Sequence, residues 1–322
     1  MRILLLGAGG QLGTELRHAL ARPGLLLPAT RSGTLADGTP CVTADLADPA
    51  SLAAALDEAM PDVVVNAAAH TAVDRAEDEP ALADRINHQA VGEIGRWAAA
   101  HGARVLHYST DYVFDGSARR PYREDDPTAP LGAYGRSKLA GEEALRASGA
   151  AHLVVRTAWV YAAHGHNFLH TMLRLARERD ELRVVDDQVG APTPAQWIAQ
   201  ASAAMLRTWQ DGAAGAGPGI VHLVASGQCS WHGFAEAIVD GALARGLLSR
   251  RPAVIAVPSA QFPTRARRPA WSVLDTSRLR ACFGLQLPDW REGLDAVLDA
   301  IARDAPPLPG EGPGGATRRR PE

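Results

Sequence analysis

Short apolar runs alternate with longer segments of helical periodicity in the first half of the chain. Arg2–Leu6 is apolar after its first residue and Asp62–Ala68 contains three consecutive valines, so both predict buried strands. Gln11–Leu20 and Pro80–His101 have the spacing of helices that bury one face. Strands that alternate with helices predict βαβ units, and hence a parallel sheet covered by helices on both faces.

The alternation continues to about residue 165 and then loosens. Arg104–Ser109 and His152–Thr157 predict two more strands, with a helix at Tyr134–Ala147 between them. After residue 165, Pro-rich joints separate the remaining elements. The elements predicted there are helices at Phe168–Asp180, Pro194–Gln210, Trp231–Arg245 and Trp290–Arg303, and short strands at Leu182–Val185, Ile220–Val224 and Val254–Val257.

A glycine-rich turn, GAGGQLG from Gly7 to Gly13, stands between the first predicted strand and the first helix. Its glycines are spaced Gly-x-x-Gly-x-x-Gly, with Gly10 in the middle. The usual Gly-x-Gly-x-x-Gly pattern is not met, because Leu12 occupies the place of its last glycine. A plain glycine turn would explain this spacing on its own. Its position at the start of a βαβ unit favours a dinucleotide site, where the backbone approaches a pyrophosphate at a helix N terminus.

These patterns predict an α/β protein, with a Rossmann-type doubly wound parallel sheet and a smaller C-terminal α+β substrate lobe. We place the dinucleotide-binding domain at residues 1–165 and the mainly substrate-binding lobe at residues 166–304. Some segments of the lobe can return to the first domain. Ala213–Gly219 predicts a Gly/Ala loop, and residues 305–322 predict a disordered tail, because they have almost nothing apolar to bury.

Composition narrows the class of protein. Hydrophobic residues make up 46% of the 322 residues and the formal net charge is −3, which suits a packed core and argues against nucleic-acid or anionic-membrane partners. No apolar run approaches the roughly 20 residues of a membrane-spanning helix, and the first run is too short for a signal peptide. Cys41, Cys229 and Cys282 show no Cys-x-x-Cys spacing, which favours a cytoplasmic location.

Lys138 is the only lysine among 33 basic residues. It is either a chance survivor or a position that requires a compact ammonium. Tyr134 lies four residues earlier, on the same face of the predicted helix. A nearby ammonium would lower the phenol's pKa from about 10 and make it a proton donor for carbonyl chemistry. Thr110, where a predicted strand ends, would offer its hydroxyl to the same carbonyl oxygen.

Together these residues resemble the extended short-chain dehydrogenase/reductase family and, within it, the dTDP-4-dehydrorhamnose reductases. The resemblance covers about residues 1–303. Besides the glycines, the segments that carry it are Asn66–Asp74 (NAAAHTAVD), His107–Phe114 (HYSTDYVF), Tyr134–Glu142 (YGRSKLAGE), Arg156–Tyr161 (RTAWVY), Asn167–Leu173 (NFLHTML), Asp187–Thr193 (DQVGAPT) and Ala266–Pro269 (ARRP).

The resemblance implies reduction of the 4-keto group of dTDP-4-dehydro-L-rhamnose to dTDP-L-rhamnose, with NADPH or NADH. It implies that Tyr134 donates the proton, that Lys138 lowers the phenol's pKa and holds the ribose hydroxyls, and that Thr110 polarises the carbonyl. The expected cofactor residues are Gly7, Gly10, Gln11, Leu12, Gly13, Asp45, Leu46, Ala69, His70, Thr71, Tyr108, Tyr134 and Lys138. The expected substrate residues are Thr110, Asp111, Trp159, Asn167 and Arg268.

Several of these residues also have purely structural interpretations. His70 is as well explained as a packed histidine, and Trp159 as a core residue. Arg268 could pin a Pro-rich loop instead of binding a diphosphate, and Asn167 could cap a helix. Two other functions stay open: a sugar-nucleotide epimerase of the same family, and a non-catalytic dinucleotide-binding regulatory subunit. Sugar-nucleotide dehydratases have the sequence Thr-Asp-Glu at this place, whereas Thr110 and Asp111 are followed here by Tyr112. Dehydration is therefore disfavoured.

Two further expectations concern the cofactor and a metal ion. The second predicted strand, Leu25–Ala29, leads into Thr30, Arg31 and Ser32 without the acid that normally holds a ribose 2′-hydroxyl. We therefore expect NADPH to be accepted at least as well as NADH, with Arg31 as the main discriminator. Some relatives pair through magnesium, and Glu15 matches one ligand position, but Gln196 stands where the second acid is expected. We expect no tight metal site, and any homodimer to be independent of metal.

Overall fold

The computed structural model describes residues 1–21, 25–210 and 219–304. Most of the predicted loop at Ala213–Gly219 and the predicted tail at residues 305–322 lie outside this range. The strands are β1 (Arg2–Leu6), β2 (Leu25–Thr30), β3 (Val42–Thr43), β4 (Val63–Asn66), β5 (Arg104–Thr110), β6 (Ala151–Thr157), β7 (Val160–Tyr161), β8 (Glu181–Val185), β9 (Val189–Gly190), β10 (Thr193–Pro194), β11 (Gly219–His222), β12 (Cys229–Ser230) and β13 (Ala253–Val257).

The α-helices of this range are α1 (Gln11–Leu20), α2 (Pro49–Ala59), α3 (Val73–Asp78), α4 (Pro80–Asp84), α5 (Ala90–His101), α6 (Ala133–Ala147), α7 (Phe168–Glu178), α8 (Ala195–Gln210), α9 (Trp231–Ala244), α10 (Ser277–Phe283) and α11 (Trp290–Asp304). A π-helical turn covers Arg85–Gln89, and short 3₁₀ turns cover Asp111–Val113 and Ser259–Gln261. Within the described ranges, no helix is both long and apolar enough to cross a membrane.

Seven parallel strands form the main sheet in the order β11-β6-β5-β4-β1-β2-β3. The first six strands of the chain therefore take the doubly wound order 3-2-1-4-5-6, and the predicted Rossmann-type sheet is confirmed. In β1, Ile3 and Leu5 pack under α1 and α8, whereas Leu4 and Leu6 pack on the opposite face under α2 and α5. Helices on both faces leave the carboxyl ends of the strands as the place for a ligand.

Part of the second half of the chain belongs to this sheet. Strand β11 pairs with β6, with Val221 opposite Val155. Helix α8 packs on α1, and its buried Ile198 and Met205 share one apolar cluster with Leu16. The sequence analysis allowed for such segments of the C-terminal half that return to the first domain. The division into two domains at residue 165 stays a prediction.

A second apolar core lies in the C-terminal half. Helices α7, α9 and α11 contribute Leu173, Phe234 and Leu294 to it, and the parallel pair β8–β13 contributes Leu182. The antiparallel pair β9–β12 adds a small sheet to this half. The predicted smaller lobe thus has an α+β composition and a core of its own.

One predicted helix is interrupted. The sequence predicts a single helix at Pro80–His101, but the structure places the π-helical turn Arg85–Gln89 between α4 and α5. Asn87 lies in this wide turn with its side chain fully buried, and its amide binds both the backbone of His70 and the Ser137 hydroxyl. These contacts account for the interruption of the helix, because π-helical turns frequently occur at functional sites.

The turn between β1 and α1 gives a stability prediction. A methyl group on Gly13 would lie 2.0 Å from the carbonyl oxygen of Gly7, which is backbone and cannot move aside. Gly13→Ala should therefore destabilise the fold by about 2 kcal/mol, as overpacking does, and lower the melting temperature by about 4–8 °C. Gly9→Ala is the matched control, because its methyl group would make an ordinary 3.6 Å contact with Thr30. Equal melting temperatures for the two variants would contradict this packing.

Candidate functional site

The glycine turn forms a cradle at the carboxyl end of β1. Gly7 adopts a left-handed φ of +79°, and its carbonyl accepts a hydrogen bond from the Gly10 N–H at 2.9 Å. Gly10 is the N-cap of α1 and has no side chain to bond the first amides of the helix. Those amides are left for an anion, and a pyrophosphate suits them because they carry the positive end of the helix dipole. The cradle fits a dinucleotide.

The end of β2 leaves one charged side chain exposed. The Thr30 hydroxyl donates to the Thr34 carbonyl at 3.0 Å, and the Ser32 hydroxyl donates to the same carbonyl at 3.2 Å. Arg31 stands between them with its side chain exposed. Both neighbouring hydroxyls are thus used within the loop, and Arg31 is the group of this segment that is best placed for an incoming phosphate. On the next loop, Asp45 accepts a hydrogen bond from the Ala47 N–H and Leu46 is buried.

The segment after β4 is fixed by a buried amide. Asn87 Oδ1 accepts from the His70 N–H at 2.8 Å, and Asn87 Nδ2 donates to the His70 carbonyl at 3.1 Å. Ala69 is half-buried and Thr71 is exposed. The His70 ring lies 3.5 Å from Glu79, with its side chain only 8% exposed. The ring is therefore packed, as the structural interpretation proposed, while the backbone of the segment borders the crevice.

Thr110, Asp111 and Tyr134 meet where β5 ends. The Thr110 hydroxyl donates to Asp111 Oδ1 at 3.0 Å and also lies near the Tyr134 phenol. Asp111 is buried, and its Oδ2 has no hydrogen-bond partner among the described residues. Burial raises the pKa of the Asp111 carboxyl to about 6. A hydroxyl, a carboxyl and a phenol thus converge on one point of the crevice.

The protonation of Tyr134 differs from the expectation. Burial raises the pKa of its phenol to about 12, although the Thr110 hydroxyl acts in the opposite direction. Lys138 Nζ contacts the Tyr108 carbonyl at 2.6 Å and His107 Nε2 at 3.2 Å. Burial lowers the pKa of Lys138 to about 8. The lowering of the Tyr134 pKa that we expected from Lys138 is therefore absent in this geometry.

Tyr108 contacts Lys138 through its backbone carbonyl, not through its side chain. Its phenol donates to the Ser202 hydroxyl of α8 at 2.7 Å, on the opposite face of the sheet from Lys138. Burial raises the pKa of this phenol above its usual range. The Tyr108 carbonyl accepts a hydrogen bond from Lys138, and the expected contact of Tyr108 with the cofactor stays a prediction.

Trp159 is held in an unusual conformation. Its φ of +48° lies in the left-handed region, which costs free energy in any residue with a side chain. Its ring stacks on Trp231 with 3.5 Å between centroids and 5° between planes. A methyl group on Gly190 would lie 2.5 Å from the indole, so the glycine makes room for it. The ring is half-buried and packs against the edge of an apolar cluster that includes Phe114 and Val224, so its role as a substrate contact stays a prediction.

Two of the expected substrate residues have structural partners. Asn167 is the N-cap of α7: its Oδ1 accepts from the His170 N–H at 3.1 Å, and its Nδ2 donates to Gln11 Oε1 at 2.8 Å. Arg268 Nη2 donates to Asp74 at 2.8 Å, which pins the ARRP loop to α3. The contacts thus correspond to the structural alternatives for both residues, and Asn167 in addition ties the C-terminal lobe to the glycine turn.

Some residues of the site escaped the sequence analysis. His107 and Asn66 lie behind Lys138, Asn87 holds the segment after β4, and Trp231 supports Trp159. A histidine within the otherwise apolar run of β5 was an available signal. The partners of Asn87 and Trp231 depend on elements far apart in the sequence.

The comparisons with known proteins agree with this site. The family model described as "RmlD substrate binding domain" matches residues 1–303. The dTDP-4-dehydrorhamnose reductase of Burkholderia thailandensis is 48% identical over 297 residues, which are 90% of this chain and 96% of that protein. The enzyme of the same name from Escherichia coli K12 is 45% identical, over 94% of this chain and 98% of its own.

Solved structures show the same relationship. The dTDP-4-dehydrorhamnose reductase of Clostridium acetobutylicum superposes with a TM-score of 0.83 at 34% identity, covering 94% of this chain and 99% of that one. The enzyme from Bacillus anthracis, in complex with NADP, gives 0.81 at 31% identity, covering 93% and 99%. Matches at this identity extend over nearly the whole of both partners, and the chain therefore belongs to the RmlD family, the dTDP-4-dehydrorhamnose reductases.

Proposed function

We propose that the protein reduces the 4-keto group of dTDP-4-dehydro-L-rhamnose to give dTDP-L-rhamnose, with NADPH or NADH as the reductant. One observation carries the proposal: Thr110, Tyr134 and the single buried lysine lie together at the carboxyl end of β5, beside a glycine cradle that fits a dinucleotide. The names of the relatives support the same reaction. This chemistry fits a cytoplasmic enzyme whose partner is a dTDP-sugar, and not a nucleic acid or a membrane.

A bound nicotinamide dinucleotide supplies the hydride that the carbonyl carbon receives. The residues of the chain then have to stabilise and protonate the carbonyl oxygen. Tyr134, with a pKa of about 12, keeps its proton at neutral pH and can donate it. Thr110 can give the same oxygen a second hydrogen bond. Asp111, with one oxygen without a protein partner among the described residues, can bind a hydroxyl of the sugar.

The two alternative functions predict different uses of the dinucleotide. An epimerase re-reduces its own intermediate, so the dinucleotide shows no net oxidation. A regulatory subunit has no need of Tyr134 or Lys138. The test is to supply dTDP-4-dehydro-L-rhamnose with NADPH, follow absorbance, and analyse the product. We expect one NADPH oxidised for each dTDP-L-rhamnose formed. An isomerised keto-sugar without net oxidation would identify the epimerase, and no turnover would favour the regulatory subunit.

Tyr134 gives the first prediction on activity. Tyr134→Phe removes the proton donor and should lower kcat at least about 100-fold, the usual scale of general acid–base catalysis. Dinucleotide affinity, measured by fluorescence titration, should change little. Turnover within a few-fold of the original enzyme would exclude Tyr134 as the donor.

Lys138→Arg tests whether the single lysine is required. The guanidinium keeps the positive charge but is larger and planar, whereas the lysine nitrogen lies 2.6 Å from a fixed backbone carbonyl in a buried site. We expect a loss of kcat comparable to that of Tyr134→Phe. An active arginine variant would mean that the lysine is there by chance.

Arg31 should set the preference between the two dinucleotides. It can pair bidentately with a ribose 2′-phosphate, which NADPH has and NADH lacks. We predict that kcat/KM with NADPH is at least equal to that with NADH, and that Arg31→Ala lowers only the NADPH value, by about tenfold. Arg31→Lys is the matched control, because it retains the charge and should keep an intermediate value. A strong NADH preference, or an unchanged NADPH value in Arg31→Ala, would show that Arg31 does not contact the phosphate.

The surroundings of Glu15 support a metal-independent assembly. The Glu15 carboxylate contacts His164 Nε2 at 2.8 Å, and Gln196 is exposed with an amide in place of the second acid. We predict that any dimer of the protein sediments identically with and without EDTA. Dissociation of the dimer by the chelator, reversed by Mg²⁺, would contradict the prediction.

A further inference from the structure

The side chain of Gln11 joins the glycine cradle to the segment that leads from β6 into α7. Gln11 is the first residue of α1. Its Nε2 donates to the Val160 carbonyl at 3.0 Å, and its Oε1 accepts from Asn167 Nδ2 at 2.8 Å. These partners lie 149 and 156 residues further along the chain. They mark the two ends of residues 160–167, which we call the crossing segment.

The orientation of both amides follows from their partners. Asn167 Oδ1 accepts from the His170 N–H at 3.1 Å as the cap of α7, so its NH₂ group is turned away from that helix. The same NH₂ group also donates to two backbone carbonyls of the crossing segment. Because Asn167 presents a donor, Gln11 presents its oxygen to Asn167 and its own NH₂ group to Val160. Both ends of the Gln11 amide are therefore bound to the protein itself.

Trp159 directly precedes the crossing segment and follows the end of β6. In a doubly wound sheet the carboxyl ends of the strands face the ligand crevice, and β6 pairs with β5, whose last residue is Thr110. The backbone of Trp159 has a φ of +48°, and a strained residue of this kind persists only where its surroundings hold it. Such strain clusters at ligand sites. These observations favour a ligand contact for Trp159.

Three contacts hold Trp159 and the residue after it. The indole ring stacks on Trp231. The Trp159 carbonyl accepts from the Thr193 N–H at 3.2 Å, and the next carbonyl along the chain, that of Val160, accepts from Gln11. The contacts with Trp231 and Thr193 come from the second half of the chain. Of the three contacts, only the one with Gln11 reaches the cradle.

We propose that Gln11 is a positioning residue whose side chain couples the dinucleotide cradle to Trp159. A pyrophosphate that binds the first amides of α1 fixes the first turn of the helix, and Gln11 begins that turn. The Gln11 amide then fixes the Val160 carbonyl and, through it, the backbone of Trp159. The use of this link in the reaction rests on the proposed function: a bound dinucleotide places Trp159 for the sugar nucleotide.

Two other roles of the Gln11 side chain would give different results in Gln11→Met. Methionine is similar in length but has no N–H and only a weak acceptor, so it forms neither hydrogen bond. If the amide bound the dinucleotide directly, the variant would bind the dinucleotide more weakly. If the amide only stabilised the fold, the variant would melt at a lower temperature, and Trp159 would still respond to an occupied cradle.

The response of Trp159 can be followed by ¹⁹F NMR. Protein grown with 5-fluorotryptophan gives signals from its seven tryptophans, and the Trp159 signal is the one that is lost in Trp159→Phe. The probe is 2′-phospho-ADP-ribose, which can occupy the cradle but has no nicotinamide ring to act on the indole directly. In the unmodified protein, we expect the probe to shift the Trp159 signal.

Gln11→Met should bind the probe with a similar Kd, because the backbone of the cradle is unchanged, but its Trp159 signal should no longer shift. Gln200→Met is the matched control: it makes the same substitution at an exposed position of α8 and should behave as the unmodified protein. A shift that persists in Gln11→Met, or that is absent from the unmodified protein, would overturn the proposal. Loss of probe binding in Gln11→Met would also overturn it.

Asn167→Ser tests the same link without a change at Gln11. Serine can still cap α7, but it is too short to donate to Gln11, which then loses one of the two bonds that orient its amide. We expect the probe to shift the Trp159 signal less than in the unmodified protein and more than in Gln11→Met. An undiminished shift in Asn167→Ser would count against the proposal.

Kinetics connects the link to the proposed function. Gln11→Met should raise KM for dTDP-4-dehydro-L-rhamnose about tenfold, the scale of one or two hydrogen bonds, and should change kcat little. A fall in kcat at an unchanged KM would contradict the positioning of Trp159. If the unmodified protein reduces no keto-sugar, the proposed function fails, and the response of Trp159 to the probe still decides whether Gln11 couples it to the cradle.

Discussion

Burial of the Lys138 nitrogen is the constraint on which the rest of the site depends. A buried amine must find hydrogen-bond partners, because an unpaired charged or polar group inside a protein is costly. The carbonyl of Tyr108 and the ring of His107 meet it, and both belong to β5. This pairing fixes helix α6 against strand β5. Tyr134, one turn earlier on α6, is thereby placed beside Thr110, where the strand ends.

The close approach of α6 depends on small residues along the helix. A methyl group on Gly141 would lie 2.1 Å from the carbonyl of Asn87, and one on Gly135 would lie 2.3 Å from the carbonyl of Tyr112. Neither position could carry a larger residue without moving the helix. Through Asn87, the same contact holds the segment at His70 that borders the cofactor crevice. The acid–base residues and the cofactor-facing backbone are therefore positioned by one packed helix.

Much of the fold could be predicted from local patterns. The apolar runs locate β1, β5 and β6 to within one or two residues, and the glycines locate the cradle, because buried strands and tight turns have strong local requirements. Helix α2 was not predicted, although Asp48 and Pro49 are typical signals of a helix start. Alanine makes up a large part of this helix, so the periodicity of hydrophobic residues along it is weak.

The remaining features depend on contacts between distant parts of the chain. The π turn around Asn87 depends on the packing of α6 beside it. The contact between Asn167 and Gln11 identifies Asn167 as a helix cap, and this contact joins residues that are far apart in the sequence. The direction of the pKa shifts is the clearest case. The spacing of Tyr134 and Lys138 indicates that they are neighbours, but burial, which the spacing does not reveal, is the main cause of the pKa shift of each.

The central claim is that this crevice carries out a reduction at C4 of the sugar. It is tested most directly with NADPH that carries deuterium at both positions of nicotinamide C4, by locating the label in the product with NMR. The account predicts one deuterium at C4 of dTDP-L-rhamnose for each dinucleotide oxidised, and none at C4 when only the solvent is deuterated. Product that carries no dinucleotide-derived deuterium at C4, or solvent deuterium at C4 of the product, would contradict it.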